Sequence, residues 1–437
     1  MILNPASRRA LDGPGVDMRS VDLRSRGCSS WSCVAAFAIG FALPATAKAQ
    51  DAPPSLTLAV RDTADLWIVT SGSDPGTVGL NKLQLSATLN GDRSGFTGWS
   101  LHGQVFRADG GSLSARLGDI QTADNIETAP VTRLFEAWLQ KSLGTGDRTL
   151  ALRAGLLDYN ADFDSLDTAS LFLNSSHGIG ADVARSGRNG PSIFPVSAFG
   201  VRAAFSPSAT WTFRLAVFDG VPGDPADPRR FVTVRLRPGD GALISAQVDY
   251  HLSDKARIAL GAWQYSRPLP QVAQPTTSAL DHGIYAAIEG PLPGQDRISG
   301  WLRIGYAAGN VQPIRSYFGA GVVVKAPLPR RPDDRLGFAL ARASVSADNA
   351  GLPLVGAETS LEATYQFKVS DGLALQPESQ YIFRPSGRSD ARDGFAFGLR
   401  LIFTAGYPRK APATQSSDPT VPPDGPQPPD QSSDKPS

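Results

Sequence analysis

The stretch Phe395-Ala396-Phe397-Gly398-Leu399-Arg400-Leu401-Ile402-Phe403 sets a large apolar side chain at every odd position. Three of the four even positions hold a small or charged residue: Ala396, Gly398 and Arg400. A two-residue period is the signature of a β-strand, whose side chains point alternately to opposite faces. Here one face is continuously apolar and the other small or polar, as on a strand that meets lipid on one side and water on the other. Residues 357–367 repeat the pattern, with Leu361, Ala363, Tyr365 and Phe367 on one face and Glu358, Ser360, Glu362 and Gln366 on the other. A soluble sheet buries such a face equally well, so a strand alone does not choose between the two.

The connections make the choice. Reading outward from this strand gives about sixteen strands, the first at 62–70 and the last at 395–404. Long gaps (107–131, 159–196, 220–241, 266–281) alternate with short ones (144–147, 206–210, 253–255) along the chain, with a single tie. Short turns on one side and long loops on the other are the mark of a transmembrane barrel. The short gaps carry turn residues, as in Gly144-Thr145-Gly146-Asp147 and Ser253-Asp254-Lys255. Aromatics such as Trp99, Trp211, Tyr250, Phe318, Phe338, Tyr381 and Phe403 fall on outward parity or near strand ends, where an interfacial girdle needs them. The expected fold is therefore all-β: an antiparallel up-and-down β-barrel over 50–404, with short periplasmic turns and long extracellular loops.

Composition agrees and excludes other classes. The 437 residues include 44 Gly and 35 Pro, with 19% charged and a net charge of +1. That balance excludes a nucleic-acid protein working by bulk charge. Residues 1–49 read as a signal peptide: Arg19, Arg24 and Arg26, then the apolar run Val34–Leu43, then Ala47-Lys48-Ala49 before the expected cleavage. Translation starts at Met1 or Met18, the two methionines present. The mature chain then carries 36 basic and 38 acidic residues, a net charge of −2. Both cysteines, Cys28 and Cys33, leave with the signal, so no disulfide or thiol chemistry follows. Residues 405–437 are expected to form a Pro-rich, solvated periplasmic tail, with a peptidoglycan contact as the alternative.

Eight ordered blocks carry a further resemblance. They include Arg133-Leu134-Phe135-Glu136-Ala137-Trp138, Leu152-Arg153-Ala154-Gly155, Asp162-Phe163-Asp164, Phe172-Leu173-Asn174-Ser175-Ser176, the run from Gly190 to Arg202, and Leu375 to Pro385. Over about 118–404 the chain resembles the carbohydrate-selective porins of the OprB type. The resemblance implies a sixteen-stranded barrel in the cell outer membrane of a Gram-negative bacterium, passing carbohydrate solutes by diffusion. It also implies insertion by the barrel assembly machinery, which reads a terminal aromatic residue. Here about 34 residues follow Phe403, unlike the usual end of such chains.

Strand parity proposes the inner wall. Arg153, Arg202, Arg214, Arg400, Glu136, Glu289, Glu358, Glu362, Asp249 and Lys325 fall on inward positions, with Trp138, Trp301 and Tyr285 as platforms on which a sugar ring would stack. A cationic wall of Arg153, Arg202 and Arg214 facing an anionic one of Glu358 and Glu362 would suit neutral polyhydroxyl solutes. The connection 159–196, with Asp162, Asp164, Asp167, Asn174, Arg185 and Arg188, is the expected constriction loop. Asp158-x-Asn160-x-Asp162-x-Asp164 has the opening spacing of a calcium loop, yet Phe163 and Ala169 occupy the places of its glycine and its glutamate. Asx-turn hydrogen bonding is the better reading, and neither a metal nor a cofactor is expected. No HExxH, GxxxxGK[ST] or GxSxG motif occurs. An enzyme is not expected, and a barrel hydrolase is the weakest alternative. A non-conducting structural or adhesive barrel is the other.

Overall fold

The alternation produces long strands that close on themselves. In the computed structural model, which describes residues 55–272, 274–346 and 356–408, sixteen strands form one closed antiparallel barrel. They are β1 (Leu56–Ser71), β2 (Gly76–Asn90), β3 (Trp99–Gly110), β4 (Val131–Thr145), β5 (Arg148–Leu157), β6 (Ala198–Ser208), β7 (Trp211–Asp219), β8 (Ala242–Ser253) and β9 (Ala256–Tyr265). After a small hairpin of β10 (Leu269–Pro270) and β11 (Ser278–Ala279) come β12 (His282–Pro291), β13 (Ile298–Ala307), β14 (Ile314–Lys325) and β15 (Arg335–Val345). The wall ends with β16 (Ala357–Ser370), β17 (Leu373–Phe383) and β18 (Gly394–Tyr407), the last pairing with β1. Each wall strand thus pairs on both sides, and no backbone edge is left to lipid.

The odd positions that opened the reading, Phe397, Leu399, Leu401 and Phe403, are exposed on the outer face. Two boundaries of the barrel differ from expectation. The first strand begins at Leu56 and the last continues to Tyr407, three residues beyond the expected end of the barrel at 404. The alternation of loop length also fails twice: the connection 72–75 is shorter than 91–98, and 308–313 is shorter than 326–334. At the first, β1 and β2 extend into the expected loop, while a 3-10 turn at Asp92–Ser94 lengthens the opposite connection. The expected signal peptide and residues 409–437 of the expected tail lie outside the described residues.

Parity also changes within β4. In the pairing of β3 with β4, Gln104 opposes Glu136 but Val105 opposes Leu134, leaving Phe135 as a bulge. Phe135 turns inward against Phe106 and Phe194, and Glu136 and Trp138 then resume inward parity.

The core lies inside the barrel and is supplied by two loops. Residues 111–130 bring Leu113, Leu117 and Ile126 against Trp67, Val69 and Ile382 of the wall. Residues 158–197 bring Tyr159 and Phe163 against Phe218 and Trp263, and Leu171 and Phe172 against Trp301 and Val323. At the closing seam Arg400 of β18 stands opposite Asp65 of β1. Its guanidinium donates to both Asp65 carboxylate oxygens at 2.8 and 2.6 Å and to Asp124 of the first inner loop at 3.0 Å. Trp67 Nε1 donates to the other Asp124 oxygen at 2.7 Å.

This buried group ties barrel closure to loop position. Removing the cation from two buried carboxylates costs about 3–5 kcal/mol. Arg400→Ala is therefore expected to lower stability by that order, read as a large drop in the urea midpoint of the folded barrel in detergent; an unchanged midpoint would show that the seam does not need it.

Candidate functional site

A loop inside a barrel must find partners for its backbone amides and carbonyls, because buried polar groups left unpaired are costly. The wall supplies them. Glu358 accepts from the backbone N–H groups of Ile120 (2.9 Å), Gln121 (3.2 Å) and Ser386 (2.6 Å). Glu362 accepts from the N–H groups of Leu173 and Asn174, and His177 Nε2 stands 3.4 Å from it. Glu289 accepts from Thr168 N–H at 2.7 Å, and Gln247 from Asp164 N–H at 3.0 Å. In the other sense, Gln376 donates to Leu171 O (2.8 Å), Gln380 to Ala123 O (2.7 Å) and Tyr317 to Ser176 O (2.7 Å). All seven wall residues are buried.

The densest fastening is Arg303. Its guanidinium holds Asp164 at 2.9 and 2.7 Å and also pairs with Asp182, all three fully buried. Glycine is required on both sides, since a Cβ at Gly180 would overlap the guanidinium and one at Gly305 the Asp182 carboxylate. The two inner loops therefore lie over the wall from β8 to β17, where inward side chains such as Ser245, Tyr285, Trp301, Ser360 and Glu378 are buried.

The wall from β2 to β7 is covered only in part, where the loops pack on Val78, Leu80, Phe106, Phe135 and Phe218. Its inward side chains Lys82, Gln84, His102, Gln104, Trp138, Gln140, Arg153 and Arg214 are half-buried and face the free part of the lumen. Arg153 and Arg202 stand directly opposite each other in register. Asp162, reaching down from the loop, lies 3.3 Å from Arg153 and 3.1 Å from Arg202, which offsets their repulsion. Gln140 Oε1 accepts from Arg153 at 3.0 Å. Beside them Trp138 stacks on His102 with ring centres 4.9 Å apart, and Arg153 lies 4.1 Å above the indole. Arg214 pairs with Asp249, which also holds Arg257 at 3.0 Å; Arg257 bonds Glu289 at 2.9 Å. This arrangement offers donors and acceptors to a polar solute.

The sequence-derived candidates divide accordingly. Arg153, Arg214, Glu136 and Asp162 meet on the open arc, and Arg202 lies buried behind Asp162. Glu358, Glu362, Glu289 and Arg400 do point inward, but loops cover them, so the expected anionic wall facing the arginines does not exist as a solute-facing surface. Trp301 and Tyr285 are likewise covered: Trp301 packs on Phe172 and His177, and Tyr285 donates to Gln247. Lys325 is exposed at the last position of β14, opposite Arg335. Of the loop candidates, Asp164 and Asn174 are buried fasteners, Arg185 binds Ile120 O at 3.1 Å, Arg188 lies 3.5 Å from Asp240, and Asp167 is exposed away from these contacts. Asp158 accepts from Asn160 N–H at 3.0 Å, an Asx turn, and Asp162 and Asp164 are aimed at different arginines. Parity had not singled out Lys82, Gln84, Gln104, Gln140 or Arg257, although each alternates with outward residues on its strand.

One loop carboxyl is unpartnered. Both oxygens of Asp119 are buried without a hydrogen bond, and burial, then the nearby Glu358 carboxylate, pushes its pKa up to about 8. The folded chain thus holds this proton more tightly than the unfolded chain does. The resulting stability is full below the ordinary carboxylate pKa of about 4 and is lost as pH rises toward about 8. Thermal midpoints are expected to fall over that range, and Asp119→Asn should remove this part of the fall; identical profiles for the two proteins would contradict the assignment.

Comparison with known proteins extends the geometry to a family. The family profile described as carbohydrate-selective porin, OprB family, matches residues 77–404. Putative porin QuiX of Acinetobacter baylyi is 22% identical over 377 residues, covering 74% of this chain and 82% of that protein. Among solved structures, the high-pH structure of Pseudomonas putida OprB superposes with a TM-score of 0.70 at 18% identity, covering 80% of this chain and 94% of that one. Its low-pH structure gives 0.50 at 15% identity, covering 80% and 93%. With three quarters of its length matched by the profile and its closed sixteen-stranded wall shared with OprB, the chain belongs to the carbohydrate-selective porin, OprB family.

Proposed function

We propose that the protein is a porin of the Gram-negative outer membrane through which carbohydrates and similar small polar solutes diffuse, and that the constriction lies between the loop 158–197 and the wall from β2 to β7. The observation that carries this reading is the one-sided filling of the lumen. Wall carboxylates and amides hold the inner loops against β8 to β17, while polar side chains on β2 to β7 stay half-exposed. Such a passage narrows the barrel without breaking its hydrogen-bonded wall.

The same reading gives each part a task. Apolar outward residues meet lipid, and the apolar strand ending near Phe403 offers the barrel assembly machinery its insertion signal. Gln140 both donates and accepts, and Glu136 accepts hydroxyl protons. Solute transit through such a site is passive, since nothing in it couples to an energy source.

Gln140 is the position to test, because it lies on the open arc beside Arg153. Gln140→Trp is expected to cut single-channel conductance in planar bilayers to about half or less, while leaving the barrel's heat-stable migration unchanged. A folded Gln140→Trp channel with wild-type conductance would place the constriction elsewhere, and wild-type protein that inserts without conducting would refute the porin reading itself.

A further inference from the structure

The ion pairs of the lumen are oriented. In three pairs on or beside the open arc the guanidinium is the more exposed member: Arg214 is 20% exposed against 0% for Asp249, Arg257 15% against 4% for Glu289, and Arg153 17% against 12% for Asp162. In these three the acids stand behind and the cations in front, whereas Arg202, 4% exposed, lies behind Asp162. Other inward cations have no carboxylate ion-pair partner among the described residues. Arg61 lies in register with Gln84, Lys82 rests 4.6 Å over the Phe194 ring, and Arg335 bonds Gln366 Oε1 at 2.6 Å. Lys325, opposite Arg335, is exposed at the end of its strand.

The acids that would balance this charge are occupied. Glu358 and Glu362 are spent on loop amides, and Asp164 and Asp182 are enclosed with Arg303. Among the described residues, Glu136 and Asp162 keep part of a carboxylate toward the free lumen, each with a basic neighbour in His102 or Arg153. A solute therefore meets guanidinium and ammonium groups first, beside amides, although the mature chain as a whole is slightly acidic.

Resting on the porin reading above, we infer that this juxtaposition of forward-facing arginines with Gln140 and Gln104 selects polyhydroxylated carboxylates, the sugar acids, over neutral sugars. A carboxylate is the planar partner that a guanidinium fork binds through two parallel hydrogen bonds. Arg153 and Arg214 turn such groups toward the passage, while Arg202 is buried behind Asp162. The hydroxylated remainder then falls against Gln140 and Gln104. Low-dielectric walls focus the cationic field along the passage and raise the local concentration of anions. A neutral sugar gains the second set of contacts without the first.

Gluconate and sorbitol test this directly, since they share six carbons and differ at a carboxylate against a hydroxymethyl group. Purified full-length protein in planar bilayers is expected to show a reversal potential of anion-selective sign under a potassium chloride gradient. Gluconate should half-block the current at a concentration about tenfold below that needed for sorbitol. Arg153→Gln with Arg214→Gln should shrink both differences. A conducting wild type that prefers cations, or that is blocked equally by the two solutes, overturns the sugar-acid inference and leaves the porin reading standing; absence of conductance overturns the porin reading instead. Both wild-type measurements decide the matter even where the double variant does not fold.

Discussion

A polypeptide loop placed inside a barrel has to satisfy its own backbone, and that requirement organises the lumen of this protein. Glu358, Glu362 and Glu289 are not free charges of a pore wall. They accept hydrogen bonds from the amides of residues 120–121, 173–174 and 168 and so hold the loops down. A charge-assisted bond of this kind is stronger than a neutral one, and three placed along one side of the barrel fix where the loops lie. Gln247, Gln376 and Gln380 extend the same fastening with neutral groups.

The fastening has an electrostatic consequence. Acids that bind amides from beneath a loop are withdrawn from the solute, whereas Arg153 and Arg214 stay partly exposed. An interior with a similar number of each sign thus presents more of one sign to the passage. Net charge, read from composition, carries no information about that asymmetry, because it counts a buried acid and an exposed base alike.

The closed barrel was legible because its rule is local: each strand shows its two-residue period within its own ten residues, as Phe395–Phe403 does. Inward parity was equally readable, and Arg153, Arg202, Arg214 and Glu358 all point where alternation places them. What alternation could not show is what lies on top of an inward residue. Glu362 and Gln140 have the same parity and opposite surroundings, because the cover comes from residues some 190 positions away in one case and is missing in the other. The bulge at Phe135 and the extension of β1 back to Leu56 were hidden for a related reason: both are set by pairing with a neighbouring strand, not by the strand's own pattern.

The central claim is that the inner loops cover one half of the wall and leave the other partly open, and cysteine accessibility measures it most directly. The mature chain carries no cysteine of its own once the expected signal is removed, so a single introduced thiol reports one position. Gln104→Cys and Gln140→Cys on the open arc are predicted to react with a charged, water-soluble thiol reagent on the order of a hundredfold faster than Ser360→Cys and Gln380→Cys beneath the loops, since thiol modification requires access to solvent. Equal rates at all four positions, in barrels that fold, would contradict the one-sided arrangement.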